Sequence, residues 1–141
     1  IGASTGSYGH GVGEIDDVDA AVSFMEARDL PLTGIAGWSF GGATALAWQA
    51  ESGSILDYVG IAPPVDSPIT PSLPPPDRLA AARRAFIIGN RDQFVDADGL
   101  EAYAQTIGAE TIRYATADHF FVLKEKELAA DVIGALTLDR P

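Results

Sequence analysis

An alternation along the chain leaves few folds open to it. Short apolar runs at 32–36, 57–62 (DYVGIA) and 84–90 (RAFIIGN) are separated by segments whose apolar residues recur at helical spacing. The second and third runs are almost continuously apolar, as expected of strands covered on both faces. A fourth run, ETIRYA at 110–115, alternates polar and apolar residues and carries charge, which predicts an edge strand. The segment EIDDVDAAVSFMEAR sets Ile15, Val18, Val22 and Met25 on one helical stripe, with acids in the first turn where the helix dipole favours them. A second helix is predicted from about Phe40 to Glu51, with Gly53 as its stop. Asp96 is placed to cap a third, which carries Leu100, Tyr103 and Ile107 and ends at Gly108. A last helix puts Leu128, Val132 and Leu136 on one face. Strands alternating with helices predict an α/β fold, three layers built around a mostly parallel sheet. With 141 residues, 47% of them hydrophobic, the chain is long enough for one domain with a buried core.

Two stretches break this rhythm. IGASTGSYGHGVG, residues 1–13, reads as a glycine-rich loop. PPVDSPITPSLPPP, residues 63–76, holds seven of the nine prolines and cannot form a regular helix or a central strand. The segments on both sides of it belong to the same alternation. It therefore reads as a crossover loop leaving the carboxyl end of the second strand, the side of open α/β sheets on which ligands bind.

Charge and composition exclude several functions. The net charge is −11, from 20 acidic and 9 basic residues, and such a surface repels phosphate backbones and anionic lipid. No nucleic-acid or membrane partner is expected. The absence of cysteine excludes disulfides, thiolate metal sites and a cysteine nucleophile. No apolar run has membrane-spanning length and no charged-then-apolar leader opens the chain, which points to a cytoplasmic protein. The first residue is Ile1 rather than Met, so the chain reads as processed or as a piece of a longer one.

The chemistry centres on GWSFG, residues 37–41, a GxSxG pattern between a predicted strand and a predicted helix. A turn this tight strains the backbone at the serine and leaves no room for flanking side chains, so glycine is expected to be required at 37 and 41. The Ser39 hydroxyl would then stand exposed above the sheet. The Phe40 amide, at a helix N-terminus, would point where an oxyanion forms.

A serine hydroxyl needs a base, and the base an orienting acid. The chain has two histidines. His10 lies in the glycine-rich loop, where an ordinary loop role suffices, whereas His119 in TADHFF lies downstream of Ser39 at the carboxyl end of a strand. Among the acids, Asp92 in GNRDQF stands just past the third strand. Asp96 and Asp98 sit in the first turn of the next helix, where capping explains them, and Asp118 is too close along the chain to turn back onto the His119 ring. A turn role for Asp92 is the competing explanation. The order serine, aspartate, histidine is the one this architecture imposes.

The quoted motifs GWSFGG, IIGNRDQFV and ADHFF, together with STGSYGHGVGEIDDVDAAVSF, give the chain a resemblance to the α/β-hydrolase superfamily, in particular to small bacterial serine hydrolases of the dienelactone-hydrolase-like group. The resemblance covers nearly the whole chain. It implies Ser39 as nucleophile, His119 as base and Asp92 as orienting acid. Dienelactone hydrolases themselves use cysteine where this chain has Ser39, so the likeness is to the group and not to that activity. The family's sheet has eight strands, and its second oxyanion donor comes from a loop after the third. The resemblance therefore implies that residues 1–141 form a single incomplete domain, an α/β-hydrolase fold lacking its N-terminal strands, with the second donor upstream of Ile1. One missing donor costs about 10²–10³ in rate.

The expected function is a serine hydrolase cleaving a small-molecule carboxylic ester or thioester through an acyl-enzyme. No metal or cofactor is called for. The loop 63–76 is too short for a folded lid, which predicts an open site. Peptidase chemistry is a minor alternative on the same scaffold. The alternative from a different class is a catalytically incompetent fragment serving as a structural or assembly domain, self-associating through an exposed strand edge. A nucleotide-binding α/β protein is a weak third, since no lysine accompanies the glycines around Ser39.

Overall fold

The structure is a computed structural model that describes residues 5–137. Its elements in chain order are α1 (Gly13–Glu26), β1 (Gly34–Trp38), α2 (Phe40–Ser52), β2 (Asp57–Ile61), a 3₁₀ turn (Pro76–Arg78), β3 (Arg84–Gly89), α3 (Ala97–Thr106), β4 (Glu110–Tyr114) and α4 (Glu125–Thr137). The first four residues of the glycine-rich loop lie outside the described residues.

The four strands make one sheet in the order β1-β2-β3-β4, and every pair is parallel. Side chains alternate between its two faces. Tyr58, Phe86 and Ile88 turn toward α2 and α3, where they pack with Leu46, Leu100 and Ala104. Val59, Ala85 and Ile87 turn the other way and meet Phe121, Leu128, Val132 and Leu136 on the α4 side. The three layers are thus α2 and α3, the sheet, and α4.

Every residue of β3 is buried, Arg84 included. A buried guanidinium is tolerated only when its donors are satisfied. Here Arg84 Nε donates to Gln49 Oε1 (3.1 Å) and Nη2 donates to the Ala80 carbonyl (2.9 Å). Gln49 in turn donates from Nε2 to the Leu56 carbonyl (2.6 Å), so one polar knot ties α2 to the start of β3. α2 is buried continuously from Gly42 to Gln49 because α1 packs on it from outside. Ile15, Val18 and Val22 meet Ala47 and Trp48 there, and Trp48 Nε1 donates to Asp19 Oδ1 (3.0 Å).

The helix ends follow local chemistry. Gly53 closes α2 with φ 69°, and Gly108 follows α3 with φ 65°, backbone values that side chains disfavour. Asp96 caps α3 by accepting from the Asp98 and Gly99 amides. β4 lies at the sheet edge, and its Arg113 reaches Asn90, Asp98 and Glu101.

One strand sits differently from its prediction. The apolar run placed β1 at 32–36, but the strand is Gly34–Trp38. Ladder pairing decides its limits: Gly37 pairs with Gly60, Trp38 with Ile61, and the Ser39 amide still donates to the Ile61 carbonyl (2.7 Å). The strand therefore runs straight into the turn before α2. No helix among the described residues is long and apolar enough to cross a membrane.

Candidate active site

Ser39 occupies the single residue between β1 and α2. Its backbone is left-handed, with φ 51° and ψ −119°, a conformation costly for a residue with a side chain and found where surrounding structure enforces it. Two close approaches do the enforcing. A Cβ at Gly37 would stand 2.5 Å from the Gly41 carbonyl oxygen, and one at Gly42 would stand 2.8 Å from the Gly37 carbonyl oxygen. The expected need for glycine at 41 is corrected: a Cβ there would meet open space, because position 41 faces outward while 42 faces β1. From β2, Tyr58 OH donates to the Gly42 carbonyl (2.8 Å) and braces the same turn. Burial pushes the Tyr58 phenol well above the usual tyrosine range, so it remains a donor.

The Ser39 hydroxyl does not cap its own helix. Its Oγ lies 2.9 Å from His119 Nε2 instead, and His119 Nδ1 lies 2.7 Å from Asp92 Oδ2. An ionised carboxylate only accepts, so the Asp92 contact fixes the ring proton on Nδ1 and leaves Nε2 free to accept from the serine. Asp92 is itself held, since its Oδ1 accepts from the Phe94 and Val95 amides, each at 2.8 Å. The Asp92 and His119 side chains are 1% and 7% exposed. Three loops, each leaving the carboxyl end of a strand, thus converge on one point. Their close packing depends on Gly89, where a Cβ would lie 2.4 Å from the Ala117 carbonyl oxygen.

Phe40 is the first residue of α2, so its amide is one of the donors a helix cannot pair internally. The other candidates stand elsewhere. His10 is an exposed turn residue with φ 56°, its ring 4.8 Å from that of Tyr8. Asp96 caps α3, and Asp98 pairs with Arg113 at 2.9 Å. Asp118 accepts from the Phe120 amide (3.0 Å) within its own turn.

Ser39 opens into a cleft of about 670 Å³ whose other wall is the proline-rich loop, with Pro64, Pro68 and Ile69 facing it. The loop is strapped down by Tyr8 OH, which donates to the Ile69 carbonyl, and by Tyr103 OH, which donates to the Pro74 carbonyl (2.7 Å). Sequence reasoning missed three rings packed around the imidazole: Phe94 at 5.1 Å, Phe120 at 5.5 Å and Trp38 at 5.6 Å between centroids. A signal was present, since each stands within two residues of Ser39, Asp92 or His119. Among the described residues no group of three or more His, Asp or Glu side chains is placed to hold a metal ion.

No family model matches the chain, and no curated protein matches it. Solved structures do. An α/β serine hydrolase homologue from Coxiella burnetii is 26% identical, with a TM-score of 0.82 over 97% of this chain and 65% of its own. A Xanthomonas campestris protein, described as an α/β serine hydrolase without lid, is also 26% identical, with a TM-score of 0.78 over 99% of this chain and 65% of its own. An esterase from Pyrococcus furiosus, 19% identical, shares the fold with a TM-score of 0.77 over 96% of this chain and 66% of its own. The chain spans about 65% of the length of the first two structures.

Proposed function

The chain belongs to the α/β-hydrolase superfamily, and from that premise we propose that the protein is a serine hydrolase that cleaves a carboxylic ester or thioester through an acyl-enzyme. The observation that carries this reading is the unbroken relay from Ser39 Oγ to His119 Nε2 and from His119 Nδ1 to Asp92 Oδ2, at 2.9 and 2.7 Å. In it Ser39 Oγ attacks the acyl carbon as its proton passes to His119 Nε2. The Asp92 carboxylate stabilises the imidazolium that results. The carbonyl oxygen, now negative, takes a hydrogen bond from the Phe40 amide at the N-terminus of α2. Collapse breaks the bond to the leaving oxygen or sulfur, which takes the proton back from Nε2 and departs as an alcohol or thiol. Water then attacks the acyl-enzyme by the same relay, releasing the acid and restoring Ser39. The strained turn serves as a nucleophile elbow, lifting the hydroxyl clear of the sheet. The substrate is a small molecule that enters the cleft between Ser39 and the proline-rich loop.

A fluorophosphonate probe tests this directly. In the full-length protein it is expected to label Ser39, and Ser39→Ala is expected to abolish labelling and ester turnover together. Labelling at another residue, or turnover that survives the substitution, would sink the assignment.

A further inference from the structure

The relay fixes which side of the cleft receives the departing group. His119 Nε2 must return the serine proton to the leaving oxygen, so that oxygen comes within hydrogen-bond reach of the imidazole and its substituent lies beside the ring. What lies beside the ring is aromatic. Phe94 and Phe120 stand edge-on to it, at 80° and 90°, and Trp38 is tilted over it at 36°. These three residues are 67%, 52% and 47% exposed, a contiguous apolar surface left open at the mouth of a catalytic relay.

The backbones that carry the two phenylalanines, and the Trp38 ring itself, are held before any substrate arrives. The Phe94 amide donates to Asp92 Oδ1 (2.8 Å), the Phe120 amide donates to Asp118 Oδ1 (3.0 Å), and Trp38 Nε1 donates to the His119 carbonyl (3.1 Å). Left-handed backbone at the next residue, Phe121 with φ 51°, sends that side chain into the core and leaves Phe120 facing out. An aromatic surface anchored in this way binds an apolar group at a reduced ordering cost. The charges agree with this. Asp66 lies on the cleft, and no lysine or arginine is among the described residues that line it. An anionic leaving group finds no counter-charge among those described residues, in a chain of net charge −11.

We infer that Trp38, Phe94 and Phe120 form the leaving-group subsite and select esters of uncharged aromatic alcohols. The inference rests on the serine-hydrolase reading and adds to it the side of the substrate that these rings recognise. Benzyl and ethyl butyrate share an acyl group and have alcohols of similar acidity, so the ratio of their kcat/KM values isolates recognition of the alcohol. In the full-length protein Phe94→Ala and Phe120→Ala are each expected to lower the benzyl-to-ethyl ratio by about three- to tenfold. Both rings are exposed, so neither change empties the core. Ile55→Ala, an exposed residue between α2 and β2, is expected to leave the ratio unchanged. The acetate-to-hexanoate ratio for one alcohol is expected to stay constant in both aromatic variants, and 4-carboxybenzyl butyrate to react about tenfold more slowly than the benzyl ester. A constant benzyl-to-ethyl ratio in the aromatic variants, or a shift confined to the acyl series, overturns the subsite while a fluorophosphonate still labels Ser39. Failure of that labelling in the unsubstituted protein removes the hydrolase reading itself, and the subsite with it.

Discussion

Gly37 and Gly41 flank the same serine, yet only one of them is pinned. A methyl group at 37 meets the Gly41 carbonyl oxygen at 2.5 Å and the Gly42 nitrogen at 2.6 Å, both backbone atoms that cannot swing aside. A methyl group at 41 meets nothing. Gly37→Ala is therefore expected to destabilise the fold by about 1–3 kcal/mol, the range for overpacking a tight contact. Gly41→Ala, in a helix and unobstructed, is expected to leave stability unchanged or slightly raised. Thermal unfolding of the two variants separates them, and equal losses would show that the turn constrains both positions alike. The same contrast applies to the acids and bases. His119→Ala is expected to remove nearly all turnover and His10→Ala to spare most of it. Asp92→Asn is expected to lower kcat by up to about 10⁴, because an amide at that point favours the wrong imidazole tautomer. Steady-state kinetics on one ester decide these, and a larger loss in Asp98→Asn than in Asp92→Asn would mean that the wrong carboxylate is assigned.

Among the elements, Asp92 and Asp96 form a matched pair with opposite duties four residues apart. Asp96 accepts from two amides at the start of α3 and touches nothing in the relay. Asp96→Ala is expected to cost about 1 kcal/mol in denaturant unfolding while leaving turnover unchanged, the reverse of Asp92→Asn. A fall in turnover with stability intact would contradict the cap. Such caps, the glycine stops at 53 and 108, and the near-continuous apolar runs of β2 and β3 were legible in the sequence because they are local signals. The meeting of Ser39, Asp92 and His119 at one point was legible because motif, strand end and chain order coincide. The limits of β1 were not, since ladder pairing with β2 carries the strand through Gly37 to the turn. The rings around His119 were not either. Trp38 and Phe120 are 82 positions apart along the chain and meet only because β1 and the loop after β4 end on the same rim of the sheet. The constraint at Gly42, and its absence at Gly41, depends on which way each faces once α2 is formed.

For the molecule as a whole, the two edges of the sheet are unequal. β4 is guarded: Glu110 and Arg113 are exposed on it, and Arg113 is held by Asp98 and Glu101. Charge on an edge strand is a common defence against pairing with another chain. β1, with the sequence GIAGW, carries no charge, and its outer side has no strand partner among the described residues. Beside it runs an apolar groove of about 350 Å³ lined by Val18, Val22 and Met25 from α1 and by Leu32 and Ile35. An uncharged edge next to such a groove favours recruitment of a second strand. The 141-residue polypeptide is accordingly expected to self-associate through β1, with light scattering reporting a mass that rises with concentration. Ala36→Lys places a charge at an exposed position on that strand and is expected to shift the population toward monomer. Thr111→Lys on β4 is expected to leave the mass unchanged, because that edge is already defended. A polypeptide that stays monomeric across the concentration range, or an association that responds to the β4 substitution and not to the β1 one, would show that the uncharged edge is not what brings the copies together.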